Sequence, residues 1–162
     1  MRESAGVLPV RIREGALEVF LVHPGGPFFA RKDEGAWSIA KGEFDARVES
    51  AEDAARREFA EETGFACPDA LVPLGSVRQR SGKVVHGFVC AAPNLDPAEV
   101  RGNTFEMEWP PRSGRRREFP EVDRAAWFSV DEARVKVNAA QAAFLERLVS
   151  TVAESSRATR IP

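Results

Sequence analysis

The stretch "REFAEETGF", residues 57–65, places Glu58, Glu61 and Glu62 within about one helical turn and then stops at Gly64. Residues three and four apart on a helix share a face. Two carboxylates held about 4 Å apart repel by roughly 4 kcal/mol at an effective dielectric near 20. Part of the helix carries its own compensation. Glu52–Arg56, Asp53–Arg57 and Arg57–Glu61 are opposite-charge pairs at i,i+4, each worth about 0.2–0.5 kcal/mol. Glu58 and Glu62 form a like-charge i,i+4 pair, with no basic residue at helical spacing on their exposed side. Such a cluster suits a hard divalent cation. Magnesium takes one or two carboxylates, keeps several waters and bridges to substrate phosphates.

The elements around the cluster read as a frame for it. "SAED" resembles a capping box with Ser50 as N-cap and Asp53 at N3, and Gly64 supplies the helix stop. Upstream, "AKGEF" brings Lys41 and Gly42 close in sequence to the acidic helix. Glycine admits a close approach of the backbone to a ligand, and lysine holds a phosphate as a point charge. "SAGVLPVRI" and "LEVFLVH" read as a hairpin turned by "REGA", and "AWSIA" as a short strand leading into a loop, "KGEFDARVE". "ALVPLGSVRQR", "KVVHGFVCAA", "NTFEMEW" and "AAWFS" read as further strands, and "PPRSGRRREFPEVDR" as a loop. Two helices, capped by Ser129 and Asn138, close the chain, followed by a frayed tail over 151–162. Strands and helices mix without regular βαβ alternation, so the expected architecture is α/β, a single domain with one mixed sheet flanked by helices.

These residues resemble the signature of the Nudix hydrolases, G-x5-E-x7-R-E-U-x-E-E-x-G-U, where U is bulky and apolar. Glu49 is followed by seven residues and then by Arg57, Glu58, Phe59, Ala60, Glu61, Glu62, Thr63, Gly64 and Phe65. The loop "EFDARV" between Gly42 and Glu49 is one residue longer than the family's. "WSIAKGEF", "NTFEMEWPPRSG" and "EFPEVDRAAWFSVDEA" resemble segments of one bacterial subgroup of pyrophosphohydrolases, so the likeness spans about residues 4–148.

The resemblance implies an α/β/α sandwich and hydrolysis of a nucleoside diphosphate linked to another moiety, with a nucleoside triphosphate or dinucleoside polyphosphate favoured. It implies Mg²⁺ or Mn²⁺ on Glu58, Glu61 and Glu62, with the Gly42 carbonyl as a further ligand. Glu58 and Glu61 are candidates to activate water, and Arg57 orients the glutamates through Glu49. Many relatives are dimers, so a homodimer is implied as one option, and composition does not decide it.

Weaker substrate-contact candidates lie elsewhere. Phe29, Arg31 and Lys32 of "FFARK" could stack a base and hold a phosphate, beside Lys41. Glu106 and Glu108 alternate on a strand and so share a face. Arg112, Arg115, Arg116 and Arg117 form a basic run that reads first as a solvated loop. His86, Lys83 and Arg78 are more remote possibilities.

Composition sets the remaining bounds. The 162 residues suffice for one core, and 43% hydrophobic with 30% charged residues describes a soluble globular chain. A net charge of −2 provides no basic field for nucleic acid, which is not an expected partner. No apolar run has membrane-spanning length, and "MRESAGVLPV" lacks the apolar core of a signal peptide. Cys67 and Cys90 have no metal-type spacing and read as reduced thiols of a cytoplasmic protein. The competing function is a non-catalytic nucleotide-binding sensor of Nudix fold. A diphosphate isomerase is a more distant alternative, and it would need an extra acid and base that neither cysteine supplies.

Overall fold

The structure is a computed structural model that describes residues 3–159, with side chains through 154. Strand β1 (Glu3–Arg13) turns at Glu14 and Gly15, both at positive φ (51° and 80°), into β2 (Ala16–Pro24). A two-residue turn of that hand matches the twist of the flanking strands and sets the register Arg13↔Ala16.

The main sheet runs β4 (Val72–Arg78), β5 (Val84–Ala91), β1, β2, β8 (Val122–Ser129). Only the β1–β5 pairing in it is parallel. The first half of β1 also pairs with β3 (Ala40–Phe44), Glu3↔Phe44 through Val7↔Ala40, while its second half pairs with β2. A separate hairpin joins β6 (Thr104–Glu108) to β7 (Arg116–Pro120).

Alternation along the strands divides the core into two layers. Ala5, Val7, Phe20 and Val22 face α1 (Ala51–Thr63), meeting its buried Ala54, Ala55 and Phe59. Leu8, Val19 and Leu21 face the other way, onto Phe144, Leu145 and Leu148 of α3 (Ala142–Thr159) and Ala133 of α2 (Val130–Lys136). The result is the expected mixed sheet between helical layers.

Three local readings change. The strand before the acidic helix is "AKGEF" rather than "AWSIA". Trp37 and Ser38 make only isolated bridges, to Val137 and Val22, while continuous pairing with β1 begins at Ala40. The segment read as one loop, "PPRSGRRREFPEVDR", contains β7 and the start of β8, because Phe105 and Phe119 pair across the hairpin. Asn138 caps a single 3-10 turn, Ala139–Gln141, before α3 begins. Helix α3 continues to Thr159, well into the tail expected to fray, and residues 160–162 lie outside the described residues.

Candidate active site

Helix α1 is built as its sequence dictates. The Ser50 side chain accepts from the Asp53 amide, and Gly64, at φ 80°, donates its N–H to the Ala60 carbonyl. The last turn is then fastened from outside. The Arg101 amide donates to the Thr63 carbonyl and the Asn103 amide to the Glu61 carbonyl, both at 2.9 Å. A Cβ on Gly102, between them, would sit 2.1 Å from the Glu62 carbonyl oxygen, so only glycine permits this approach. The orphan carbonyls of the helix end are thereby satisfied by a loop that also lines the cleft.

That cleft, about 580 Å³, opens where β3 crosses beneath α1. Its walls carry Lys41, Gly42 and Glu43 from β3, and Glu58, Glu61 and Glu62 from α1. Ser38, Lys83, Asn103 and Glu121 complete its polar lining.

Arg57 gathers the acidic side chains. Its guanidinium donates to Glu49 at 2.5 Å, to Glu58 at 2.8 Å and to Glu61 at 3.2 Å. The Glu58 contact departs from the sequence reading, since adjacent helical residues do not normally face each other. Glu49, outside the helix, draws the long side chain across Glu58. Hydrogen bonds to Glu49 and Glu58 hold the guanidinium well above its ordinary pKa.

Gly42 and Lys41 lie against the carboxylates. A Cβ on Gly42 would lie 2.0 Å from a Glu58 carboxylate oxygen, so the space a side chain would fill is occupied by the carboxylate. The Lys41 amide donates to Glu62 Oε2 at 3.2 Å. Burial, and then the Glu58 charge, push the Glu62 carboxyl up to about 8. Burial also raises Glu58. Burial, and then the Lys83 charge, lower the Lys41 ammonium.

The extra loop residue is absorbed away from the site. Residues 45–49 form an exposed turn in which Arg47 pairs with Asp45 at 2.9 Å and the Glu49 amide donates to the Asp45 carbonyl at 3.1 Å. Val48 at its tip is 82% exposed. Glu49 still reaches Arg57, and Gly42 still packs on Glu58.

The outlying candidates divide. Phe29 lines a second cavity beside the cleft, and Lys41 borders both. Arg31 and Lys32 line neither of these cavities. Lys32 stacks on Phe29 at 5.3 Å, and its carbonyl lies 2.6 Å from His23 Nε2. Glu106 and Glu108 lie exposed on the β6–β7 hairpin and do not line the cleft, and Glu106 faces Arg116 at 3.6 Å. His86 pairs with Glu3 at 2.8 Å outside the cleft. Cys90 is buried and its thiol is pushed up to about 12, as an inert thiol should be.

Two contributions escaped the sequence. Glu121 brings a carboxylate close enough to act on Glu62, and its backbone is held by Asn103 and Gly25. No spacing marks it, because it stands in a turn between β7 and β8. Gln141 is the second. From the 3-10 turn, fully buried, it accepts the Ile39 amide at 3.0 Å and donates to Ser38 Oγ at 3.0 Å. It thus fixes the segment immediately before Lys41. Gln141→Ala leaves the Ile39 amide unpaired and the Ser38 hydroxyl with only its 2.7 Å bond to the Ile39 carbonyl, and urea unfolding should show a loss of about 1–3 kcal/mol. An unchanged midpoint would mean that water replaces the amide.

Comparison with known proteins agrees with this architecture. The Nudix domain model matches residues 1–148, and the chain belongs to the Nudix family, whose hydrolases act on pyrophosphate bonds and generally use divalent metal ions. The fold is similar to that of a Caenorhabditis elegans Ap4A hydrolase in a binary complex, at TM-score 0.66 and 19% identity over 95% of this chain and 99% of that one. It is similar to the Nudix domain of Shewanella oneidensis NrtR complexed with ADP-ribose, at TM-score 0.63 and 16% identity over 93% and 87%. A MutT/Nudix family protein from Listeria innocua aligns at TM-score 0.59 and 20% identity over 94% of each chain. No curated protein matches the chain. Among the described residues, no helix is long and apolar enough to cross a membrane.

Proposed function

We propose that the chain is a divalent-cation-dependent pyrophosphohydrolase. Its substrate is a nucleoside diphosphate joined to another moiety, with nucleoside triphosphates and dinucleoside polyphosphates favoured. The observation that carries this reading is the Gly42 cradle. A glycine, the one residue without a Cβ, faces Glu58 at the point where three helix carboxylates, the buried Glu62 among them, border one cleft.

The donor set fits a hard cation. Among the described residues, no three His, Cys, Asp or Glu side chains stand close enough together to hold an ion without moving. An open set of Glu58, Glu61 and Glu62, with the Gly42 carbonyl beside them, suits Mg²⁺ or Mn²⁺, which keep waters and take substrate oxygens. The charge that burial makes costly on Glu62 is the charge a cation would offset. When bound, the ion would neutralise charge on the diphosphate oxygens and lower the pKa of a bound water.

The chain's own residues do the rest. Lys41 and Lys83 present ammonium groups to the phosphates across the cleft from the acidic helix. Arg57 and Glu49 hold Glu58 and Glu61 in position. The water oxygen bonds to phosphorus, the P–O bond to the departing phosphate breaks, and a cleft carboxylate takes the water proton. Glu58 and Glu61 are the candidates for that step, and Glu121 joins them because it borders the same cleft.

The test is product release from a panel of nucleoside diphosphate derivatives with Mg²⁺ or Mn²⁺. Glu61→Gln serves as the matched control because Glu61 is exposed enough to replace without disturbing the core. Turnover of one member, reduced about 100-fold or more in the control, is expected. Retained cation and nucleotide binding with no turnover across the panel would instead favour the sensor reading.

A further inference from the structure

Charge is segregated between two adjoining cavities. The cleft described above carries five carboxylates, those of Glu43, Glu58, Glu61, Glu62 and Glu121. The neighbouring cavity, about 760 Å³, shares Pro24, Ser38 and Lys41 with it and has no Asp or Glu in its lining. Its polar groups are Ser38, Lys41, Arg78, Gln79, Arg80 and Asn138, and Phe29 supplies an aromatic face. Neither Arg78 nor Arg80 is in an ion pair among the described residues. Arg78 has only a hydrogen bond to the Gly82 carbonyl at 3.2 Å. Two unpaired guanidinium groups and a desolvated lysine around a carboxylate-free hollow form an anion-binding lining.

The hollow is preformed. The Gly35 amide donates to the Val135 carbonyl at 3.1 Å, and the Asn138 amide to the Trp37 carbonyl at 2.8 Å, so the Phe29 loop is sewn to the end of α2. The Trp37 indole donates to Asp33 at 2.8 Å, and Lys136 pairs with Asp33 at the same junction. His23, fully buried, holds the Lys32 carbonyl at 2.6 Å and Asp123 at 2.8 Å. Phe29 is 36% exposed even so, although Lys32 lies over its ring at 5.3 Å, so a stacking ligand would use the other face or displace the ammonium.

We infer that this cavity seats the far end of the substrate, and that this end is a phosphorylated nucleoside, so that the preferred substrates are dinucleoside polyphosphates. The inference rests on the hydrolase reading above and names the substrate class for it. Arg78, Arg80 and Lys41 match the phosphate oxygens beyond the bond that breaks. Phe29 offers a stacking surface for a base, a contact that any base can make. Gln79 and Asn138 carry the amide donors and acceptors that meet a base edge. A sugar as the far group would lack both the charge and the flat face that this lining serves, and the lining holds no carboxylate to accept from its hydroxyls. The volume lies within the range of small-molecule sites. Lys41, on the shared wall, spans the two halves of one polyphosphate chain.

The experiment compares the intact protein with the Arg78→Ala/Arg80→Ala double variant on a dinucleoside tetraphosphate and on a nucleoside diphosphate glucose, both with Mg²⁺. The readout is the ratio of the two kcat/KM values. Calorimetric titration with a methylene-bridged, non-hydrolysable dinucleoside tetraphosphate measures Kd alongside. The ratio should fall about tenfold or more and Kd should rise by a similar factor, as expected for lost charge-assisted hydrogen bonds. The Arg78→Lys/Arg80→Lys pair should recover part of both. Turnover of both substrates with ratio and Kd changed less than threefold would overturn the subsite and leave the hydrolase reading intact. Absence of turnover with a raised Kd in the double variant would overturn the hydrolase reading and support the subsite.

Discussion

Gly42→Ala should lower kcat by about 100-fold or more while the melting temperature stays within a few degrees of the parent. The added methyl would meet the Glu58 carboxylate, 2.0 Å from one oxygen and 2.5 Å from the other. Those atoms end a flexible side chain, so the fold relieves the clash by swinging Glu58 aside rather than by shifting β3. The β1–β3 ladder through Ala5↔Gly42 needs no glycine for its own hydrogen bonds. The damage therefore falls on one carboxylate's position, and a displacement near 1 Å is enough to cost about two orders of magnitude in rate. The displaced carboxylate would also pull on Arg57, which reaches Glu58 at 2.8 Å and Glu61 at 3.2 Å. Turnover of the best panel substrate and calorimetric melting check the result together. A variant with kcat within threefold of the parent would show that Glu58 works equally well elsewhere, and the cradle would lose its meaning.

The same residues show why the local geometry of the candidate site was legible in sequence. Everything from Glu49 to Phe65 is local, and helix geometry converts its spacing directly into a face. The capping Ser50, the stop at Gly64 and the Glu49–Arg57 pair follow from positions a few residues apart. Tertiary convergence is what spacing cannot report. Glu121 reaches the cleft only because the Asn103 loop that fastens the end of α1 also accepts the Glu121 amide, at 2.9 Å. Gln141 supports Ile39 across 102 positions of sequence. The misplaced strand has a similar cause. "AWSIA" has the apolar character of a strand, but Trp37 is used as a core plug against Phe128 and His23. The edge of β1 instead accepts the more polar "AKGEF", because pairing there satisfies backbone groups whatever the side chains. Glu106 and Glu108 alternate as expected for a strand, yet they stand on its exposed face, while Phe105 and Met107 take the partly buried one and Phe105 packs against Gly26.

The second large effect concerns Glu62. In chelated, cation-free buffer at pH 8, Glu62→Gln should melt above the parent, an unusual direction for a change at a buried helix position. The Glu62 carboxyl is pushed from its ordinary 4.5 to about 8, first by burial and then by the Glu58 charge. With the folded-state pKa raised, the stability this group contributes is full below about 4.5 and is lost as pH climbs through 8. Glutamine does not titrate, and its carbonyl can keep the 3.2 Å bond from the Lys41 amide while its NH₂ donates toward neighbouring carboxylates. The difference in melting temperature between variant and parent should therefore be small at pH 5 and grow toward pH 8. Its size at the upper end is on the order of 3 kcal/mol, roughly 6–12 °C for a chain of this length. Mg²⁺ should reverse the order. A cation that binds only the folded chain raises the parent's melting temperature by mass action, and the variant, missing one ligand, should gain less. A variant that melts at or below the parent in chelator at pH 8, and gains as much from Mg²⁺, would remove Glu62 from the proposed cation site. Its burial would then serve the packing of α1 on β3 alone.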